Sequence, residues 1–109
     1  MSDSPRELPH PETGDLVLTD VLFALSDPTR LAIVRELAEG ALEETPCAAV
    51  GGAMPKSTRS HQLKTLREAG LIRNVPHGRQ RHVSLRRADL EERFPGLLAS
   101  VLGTPVDAS

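Results

Sequence analysis

Two glycines in succession, Gly51 and Gly52, interrupt the middle of the chain, and any helix that reaches them must stop there. Ahead of them, Thr45 and Pro46 read as a helix start: a hydroxyl to cap the first turn, then the residue whose missing N–H costs nothing at the first helical position. The helix so begun, through Cys47, Ala48, Ala49 and Val50, must stop at the glycine pair. Pro55 restarts the chain, and a second helix is expected from Lys56 to Ala69, with Leu63 and Leu66 facing inward and Gly70 as its C-terminal cap. A short helix, a glycine turn and a longer helix make the outline of a helix-turn-helix.

The flanks complete a fold. Leu16, Leu18, Val21, Leu22, Phe23 and Leu25 predict a helix apolar on most of its circumference, which must be covered on more than one side. Next, Asp27 is a good N-cap and Pro28 suits the first helical position. Leu31, Val34, Leu37 and Ala38 then recur at helical spacing, and Gly40 is placed to end that helix in the left-handed conformation. Beyond Gly70, Leu71 to Val75 and Arg81 to Leu85 read as two short strands, joined by the glycine-containing connection Pro76 to Gln80. A last helix from Ala88 to Leu102 has Leu90, Phe94, Leu97, Leu98, Val101 and Leu102 on one stripe, with Pro95 bending it or starting its second half. The expected fold class is mainly α with a small β-hairpin: a winged helix-turn-helix of about five helices and a two-stranded wing.

The length of 109 residues suits one domain. Residues 1–14, with Pro5, Pro9, Pro11 and Gly14 among polar residues, read as a flexible tail, residues 15–103 as the domain, and residues 104–109 as a C-terminal tail. No apolar run reaches the roughly 18 residues that span a bilayer, and the start has no apolar leader, so a cytoplasmic protein without a membrane partner is expected.

The net charge of −2 conceals a division. Residues 1–55 hold three basic and ten acidic side chains, residues 56–87 nine basic and one acidic, and residues 88–109 one basic and four acidic. A basic segment on an acidic body is the footprint of a phosphate-binding surface. There is no Trp or Tyr, and Phe23 and Phe94 lie in apolar helical patterns, which argues against single strands bound by base stacking. An enzyme is a poor fit: Cys47 has no histidine near it in sequence, the carboxylates are scattered, and Gly51-Gly52 breaks a helix instead of cradling a phosphate. A winged helix serving as a protein-binding adaptor is the rival, but an adaptor has no reason to concentrate so many basic residues in one stretch.

The candidate contacts to double-stranded DNA follow from the elements. At the start of the second helix, Lys56, Ser57, Thr58, Ser60, His61 and Gln62 suit base edges and phosphates, and Lys64 suits a phosphate a turn farther on. Ser57 or Thr58 has the alternative of capping that helix. In the wing, His77, Arg79 and Arg81 would meet the backbone or the adjacent minor groove.

The strings Leu25-Ser26-Asp27-Pro28-Thr29-Arg30-Leu31 and Pro55 to Lys64, leading into Leu66-Arg67-Glu68-Ala69-Gly70-Leu71-Ile72, resemble the ArsR-type family of bacterial winged-helix repressors over residues 16 to 102. The resemblance implies a homodimer joined through its first and last helices, with Leu16, Val21, Leu22, Leu90, Phe94, Leu97, Leu98 and Val101 as the seam. It also implies repression by occupancy of an inverted-repeat operator, relieved by a metal or another signal. Two positions depart from the family pattern: Arg59 stands where many members carry an aliphatic residue, and Gln62 where many carry a second histidine. Arg59 either exposes its guanidinium beside DNA or lays its stem over the core.

The motifs of metal-sensing members are missing. Cys47 has no second cysteine, and the last helix has Asp89, Glu91 and Glu92 without a histidine. No metal site and no cofactor is therefore expected, Cys47 joined to His10 or Glu12 across a subunit boundary being the one arrangement left. Cys47 reads either as a packing residue or as a redox-responsive thiol lowered in pKa by a helix N-terminus. The effector, a small molecule or a redox signal, is not identified by the sequence, and His82 reads as a wing or core-edge residue.

Overall fold

The computed structural model describes residues 8–40 and 44–103. Helix α1, Leu18–Leu25, turns Val21, Ala24 and Leu25 inward at the spacing of one helix face. Helix α2, Pro28–Glu39, starts as its residues dictate: the Asp27 carboxylate accepts the Arg30 backbone N–H at 3.1 Å, and Pro28 takes the first position. Its end departs from expectation. Gly40 is extended, with φ −66° and ψ 150°, so the chain leaves the helix without the left-handed turn that only glycine adopts freely.

Thr45 and Pro46 do not open a helix. They form strand β1, Thr45–Pro46, paired antiparallel to a later strand through Thr45↔Val83 and Pro46↔His82. The residue before a proline is biased toward extended backbone, and on the edge of a sheet the missing proline N–H costs nothing. The helix expected through Val50 shrinks to a single 3-10 turn, Cys47–Ala49, that delivers Val50 into the core. Gly51 and Gly52 then both take positive φ, 83° and 64°, and reverse the chain into α3.

Helix α3, Lys56–Ala69, buries Leu63, Leu66, Arg67 and Ala69 and ends as predicted. Gly70 is left-handed at φ 92°, its N–H bonds the Arg67 carbonyl, and the Leu71 N–H reaches back to the Leu66 carbonyl at 3.0 Å. Strands β2, Ile72–His77, and β3, Gln80–Leu85, run farther than expected, to a two-residue turn of Gly78 and Arg79. Gly78 has φ 66°, the conformation a tight hairpin asks of its first central residue. β2 and β3 form the expected two-stranded wing, and β1 adds to its edge, so that among the described residues the sheet has three strands in the order β1-β3-β2. The C-terminal segment is two helices, α4 (Arg87–Arg93) and α5 (Leu97–Leu102), because Pro95 and the left-handed Gly96 separate them.

One core joins these elements, its fully buried members including Leu16, Val21, Ile33, Val34, Val50, Leu66, Leu71, Ile72, Val83 and Leu90. Residues 8–14, placed by composition in a flexible tail, lie on this core instead. Arg67 Nη1 donates to the Pro9 carbonyl at 2.6 Å, Arg86 Nη1 to the Pro11 carbonyl at 2.8 Å, and the Thr13 hydroxyl to Asp89 at 2.9 Å. Buried arginines thus satisfy a proline-rich backbone that cannot form a ladder of its own. Residues 1–7 and 104–109 of the two expected tails lie outside the described residues.

The same dock makes stability depend on pH. His10 Nε2 accepts the Asn74 backbone N–H at 3.0 Å, so that nitrogen must be unprotonated. Burial, then the charges of Arg67, Arg73 and Arg86, push the His10 pKa below the ordinary histidine value against a weaker opposing bond to the Leu8 backbone. Above the unfolded value of about 6.5 both states are neutral and the difference contributes nothing. As pH falls from there through the lowered folded value, the unfolded chain takes up the proton first and stability declines. The urea midpoint is therefore expected to drop more between about pH 7 and about pH 5 in the parent than in His10→Gln. Equal drops would remove His10 as the cause.

Candidate nucleic-acid interface

The first turns of α3 present Lys56, Ser57, Thr58, Ser60, His61 and Lys64 to solvent. Pro55 stands at the N-cap without a side-chain cap bond, so neither Ser57 nor Thr58 spends its hydroxyl on capping. The first backbone N–H groups of the helix and the positive end of its dipole therefore point outward together with a lysine and two hydroxyls, an arrangement that favours anions.

Three of the expected DNA contacts are committed within the protein. Arg59 donates from Nε to the Val50 carbonyl at 2.8 Å and from Nη2 to the Met54 carbonyl at 3.1 Å and the Gly52 carbonyl at 3.5 Å. Its guanidinium ties the glycine turn to α3, where an aliphatic residue would leave those carbonyls to water. Gln62 is half-buried, its Oε1 accepting at 3.0 Å from Arg30, whose Nε bonds the Ala24 carbonyl at the end of α1. Arg81 donates to the side-chain and backbone oxygens of Asn74 at 2.8 and 2.9 Å.

The basic segment is thus not one surface. Arg67 and Arg86 hold the N-terminal segment, Arg73 and Arg86 reach Asp89 at 3.4 and 2.9 Å, and Arg87 bonds the Ala38 carbonyl. The Arg86 hydrogen bond above all, aided by one from the Thr13 hydroxyl, holds the Asp89 carboxyl below its usual range against burial. Lys56, Lys64 and Arg79 remain exposed, together with His61 and His77.

Of these, Lys56, Lys64 and Arg79 share one depression, whereas His61 and His77 lie outside it. A cleft of about 900 Å³ opens between α3 and the wing, bordered by Lys56, Ser60 and Lys64 on one side and by Arg79 and Gln80 on the other. Cys47 lies in its floor, with Sγ 3.6 Å from Asn74 Oδ1. Burial pushes the Cys47 thiol up, and the charges of Arg81 and Arg59 offset this only in part, so the nucleophilic thiolate is disfavoured. The alternative of Cys47 with His10 meets a second obstacle, since His10 Nε2 already accepts from Asn74.

The expected seam residues separate. Leu16, Val21, Leu90 and Leu98 are buried inside this chain's own core, so the structure removes them from any surface. Phe94, Leu97 and Val101 are half-buried, and Leu22 is 44% exposed. Sequence reasoning missed the rest of the outer face: Val17 and Leu18 at 48% and 44% exposure, and Phe23 at 66% with the Arg30 guanidinium 5.3 Å from its ring centre. The signal was the helical spacing of Leu18 and Leu22, out of phase with Val21 and Leu25.

Comparison with known proteins agrees with this geometry. Residues 25–75 match the model of a family described as a helix-turn-helix domain. YceK of Bacillus subtilis (strain 168), an HTH-type transcriptional regulator, is 37% identical over 92 residues, which span 83% of this chain and 91% of that protein. Among solved structures, the transcriptional repressor BigR from Xylella fastidiosa superposes with a TM-score of 0.59 at 26% identity, covering 81% of this chain and 88% of that one. The ArsR family transcriptional regulator RHA00566 superposes with a TM-score of 0.59 at 24% identity, covering 76% of this chain and 84% of that one. With a glycine turn leading into α3, a basic wing and a relative matched along nearly its whole length, the chain has the fold of an ArsR family regulator and belongs to the helix-turn-helix transcriptional regulators, proteins that bind DNA.

Proposed function

We propose that this regulator acts as a dimeric repressor, laying the first turns of α3 into the major groove of an inverted-repeat operator while the wing turn grips the flanking backbone. The observation that carries the reading is the shared cleft, whose opposite rims hold Lys56 and Lys64 on α3 and Arg79 on the wing turn. Ser57, Thr58, Ser60 and His61 supply hydrogen-bonding groups for base edges, whereas Arg59, Gln62 and Arg81 shape the surface from beneath. The name of BigR as a repressor supports the direction of regulation. Occupancy of a promoter requires no catalysis, and no side chain of the cleft is assigned a catalytic role.

A second copy of the chain fits the outer face of α1. Val17, Leu18, Leu22 and Phe23 leave an apolar strip in water, and full burial of each large side chain would contribute about 1.5–3 kcal/mol. Two such subunits present recognition helices about 34 Å apart, one turn of DNA. Selection of bound sequences from a random duplex library tests the reading: an inverted repeat with half-sites one turn apart is expected. Retention of duplexes without any common sequence, or a monomer in size-exclusion chromatography at the same concentration, would overturn it.

The wing has its own test. Each phosphate neutralised steepens the dependence of log affinity on log salt by about 0.9, so Arg79→Ala is expected to flatten the slope by about that amount per half-site. An unchanged slope places the wing outside the interface.

A further inference from the structure

The face of the wing turned away from α3 carries a cluster outside the cleft, and it includes His77, which the sequence had placed at the DNA. Side chains alternate along a strand, so His77 and His82 lie on the face opposite Asn74 and Arg81, which face the cleft. The two imidazoles stack with ring centres 4.1 Å apart and planes 13° from parallel. Glu44, immediately before β1, brings Oε1 to 3.4 Å from His82 Nδ1 and 3.9 Å from His77 Nδ1. One ligand atom from each of the three residues falls within a span of 4.8 Å. We infer that Glu44, His77 and His82 form a binding site for a divalent transition metal of the zinc class on the back of the wing.

The donor set is the argument. Two neutral imidazoles and one carboxylate, with a position left for water, are a recurrent zinc set, with bonds of about 2.0–2.2 Å. Tetrahedral bonds of that length place ligand atoms about 3.3 Å apart. The His82–Glu44 separation already meets that spacing, and the His77–Glu44 separation exceeds it by about half an ångström. The parallel stack leaves the two lone pairs side by side, so coordination requires His77 to rotate toward Glu44. It is free to do so: the side chains of His77 and Glu44 are 64% and 50% exposed, while that of His82 is held at 15%. The backbone fixes what matters more, because β1 pairs with β3 at Pro46↔His82, and Val75, two residues before His77, pairs with His82. All three ligands therefore ride on one three-stranded sheet. Cys47, on the cleft side, has no part in the set.

Metal binding is read on the full chain without DNA and is independent of the operator reading. After chelator treatment, the protein is titrated with Zn²⁺ by calorimetry and with Co²⁺ by visible absorption. One equivalent per chain is expected, with the Co²⁺ spectrum showing ligand-field bands of low coordination number and no thiolate charge-transfer band. His77→Ala, His82→Ala and Glu44→Gln should each weaken Zn²⁺ by more than about tenfold, and Cys47→Ser should leave it unchanged. His77 and Glu44 are exposed, so these two variants keep the fold, which circular dichroism checks. Absence of saturable binding, a thiolate band, or equal affinity in the His77 and Glu44 variants would overturn the site.

Discussion

Gly70→Ala is expected to lower the melting temperature by about 10 °C or more. A left-handed backbone costs a residue with a Cβ about 1–2 kcal/mol, and Gly70 holds φ 92°. A methyl group there would also lie 2.0 Å from Leu16 Cδ2 and 3.3 Å from Leu16 Cγ. Leu16 is 1% exposed, so its escape is blocked by the core, and overpacking of this kind adds about 1–3 kcal/mol. In a domain of this size each kcal/mol moves the melting temperature by about 4–8 °C. Because Gly70 ends α3 and Leu16 leads into α1, the variant loosens the joint between these two helices. Thermal unfolding followed by circular dichroism checks the size of the drop. In a double-mutant cycle with Leu16→Ala the two losses should be less than additive, since the smaller side chain vacates the space the methyl needs. A drop of only a few degrees, or full additivity, would show that the clash relaxes at no cost.

The caps around Asp27, Pro28 and Gly70 were legible because each depends on chemistry within four residues of itself, and the helices they bound appear where the spacing put them. Thr45-Pro46 was not, since a hydroxyl residue before proline serves equally as a helix start and as an extended edge pair; only Val83 and His82, far along the chain, decide between them. The interface was half legible for a related reason. An arginine has the same charge whether it meets a phosphate or a carbonyl, so the run of basic residues announced a surface but could not say that Arg59, Arg67, Arg81 and Arg86 bind the protein's own oxygens. The apolar helices posed the same question. Leucines bound for the core and leucines bound for a partner read alike until the sheet and α3 fix which side of α1 is covered. Glu44 and His82, 38 residues apart in sequence, met only through the β1–β3 pairing.

Arg59→Ala separates the scaffold from the reading surface. The parent residue forks across the Val50, Gly52 and Met54 carbonyls, and hydrogen bonds to a charged group contribute about 1.5–3 kcal/mol. Loss of that order is expected in urea unfolding, concentrated at the glycine turn, and faster amide exchange there should accompany it. Arg59→Lys should lose nearly as much, since a point charge cannot span three carbonyls. Duplex affinity should fall only as far as α3 is misplaced, and the slope of log affinity against log salt should match that of the parent, because no phosphate contact has been removed. A phosphate-bound Arg59 predicts the reverse: stability within a few tenths of a kcal/mol of the parent, and a slope flatter by about 0.9 for each half-site. The two outcomes cannot be confused, and the second would return Arg59 to the DNA face and leave the turn held by its glycines alone.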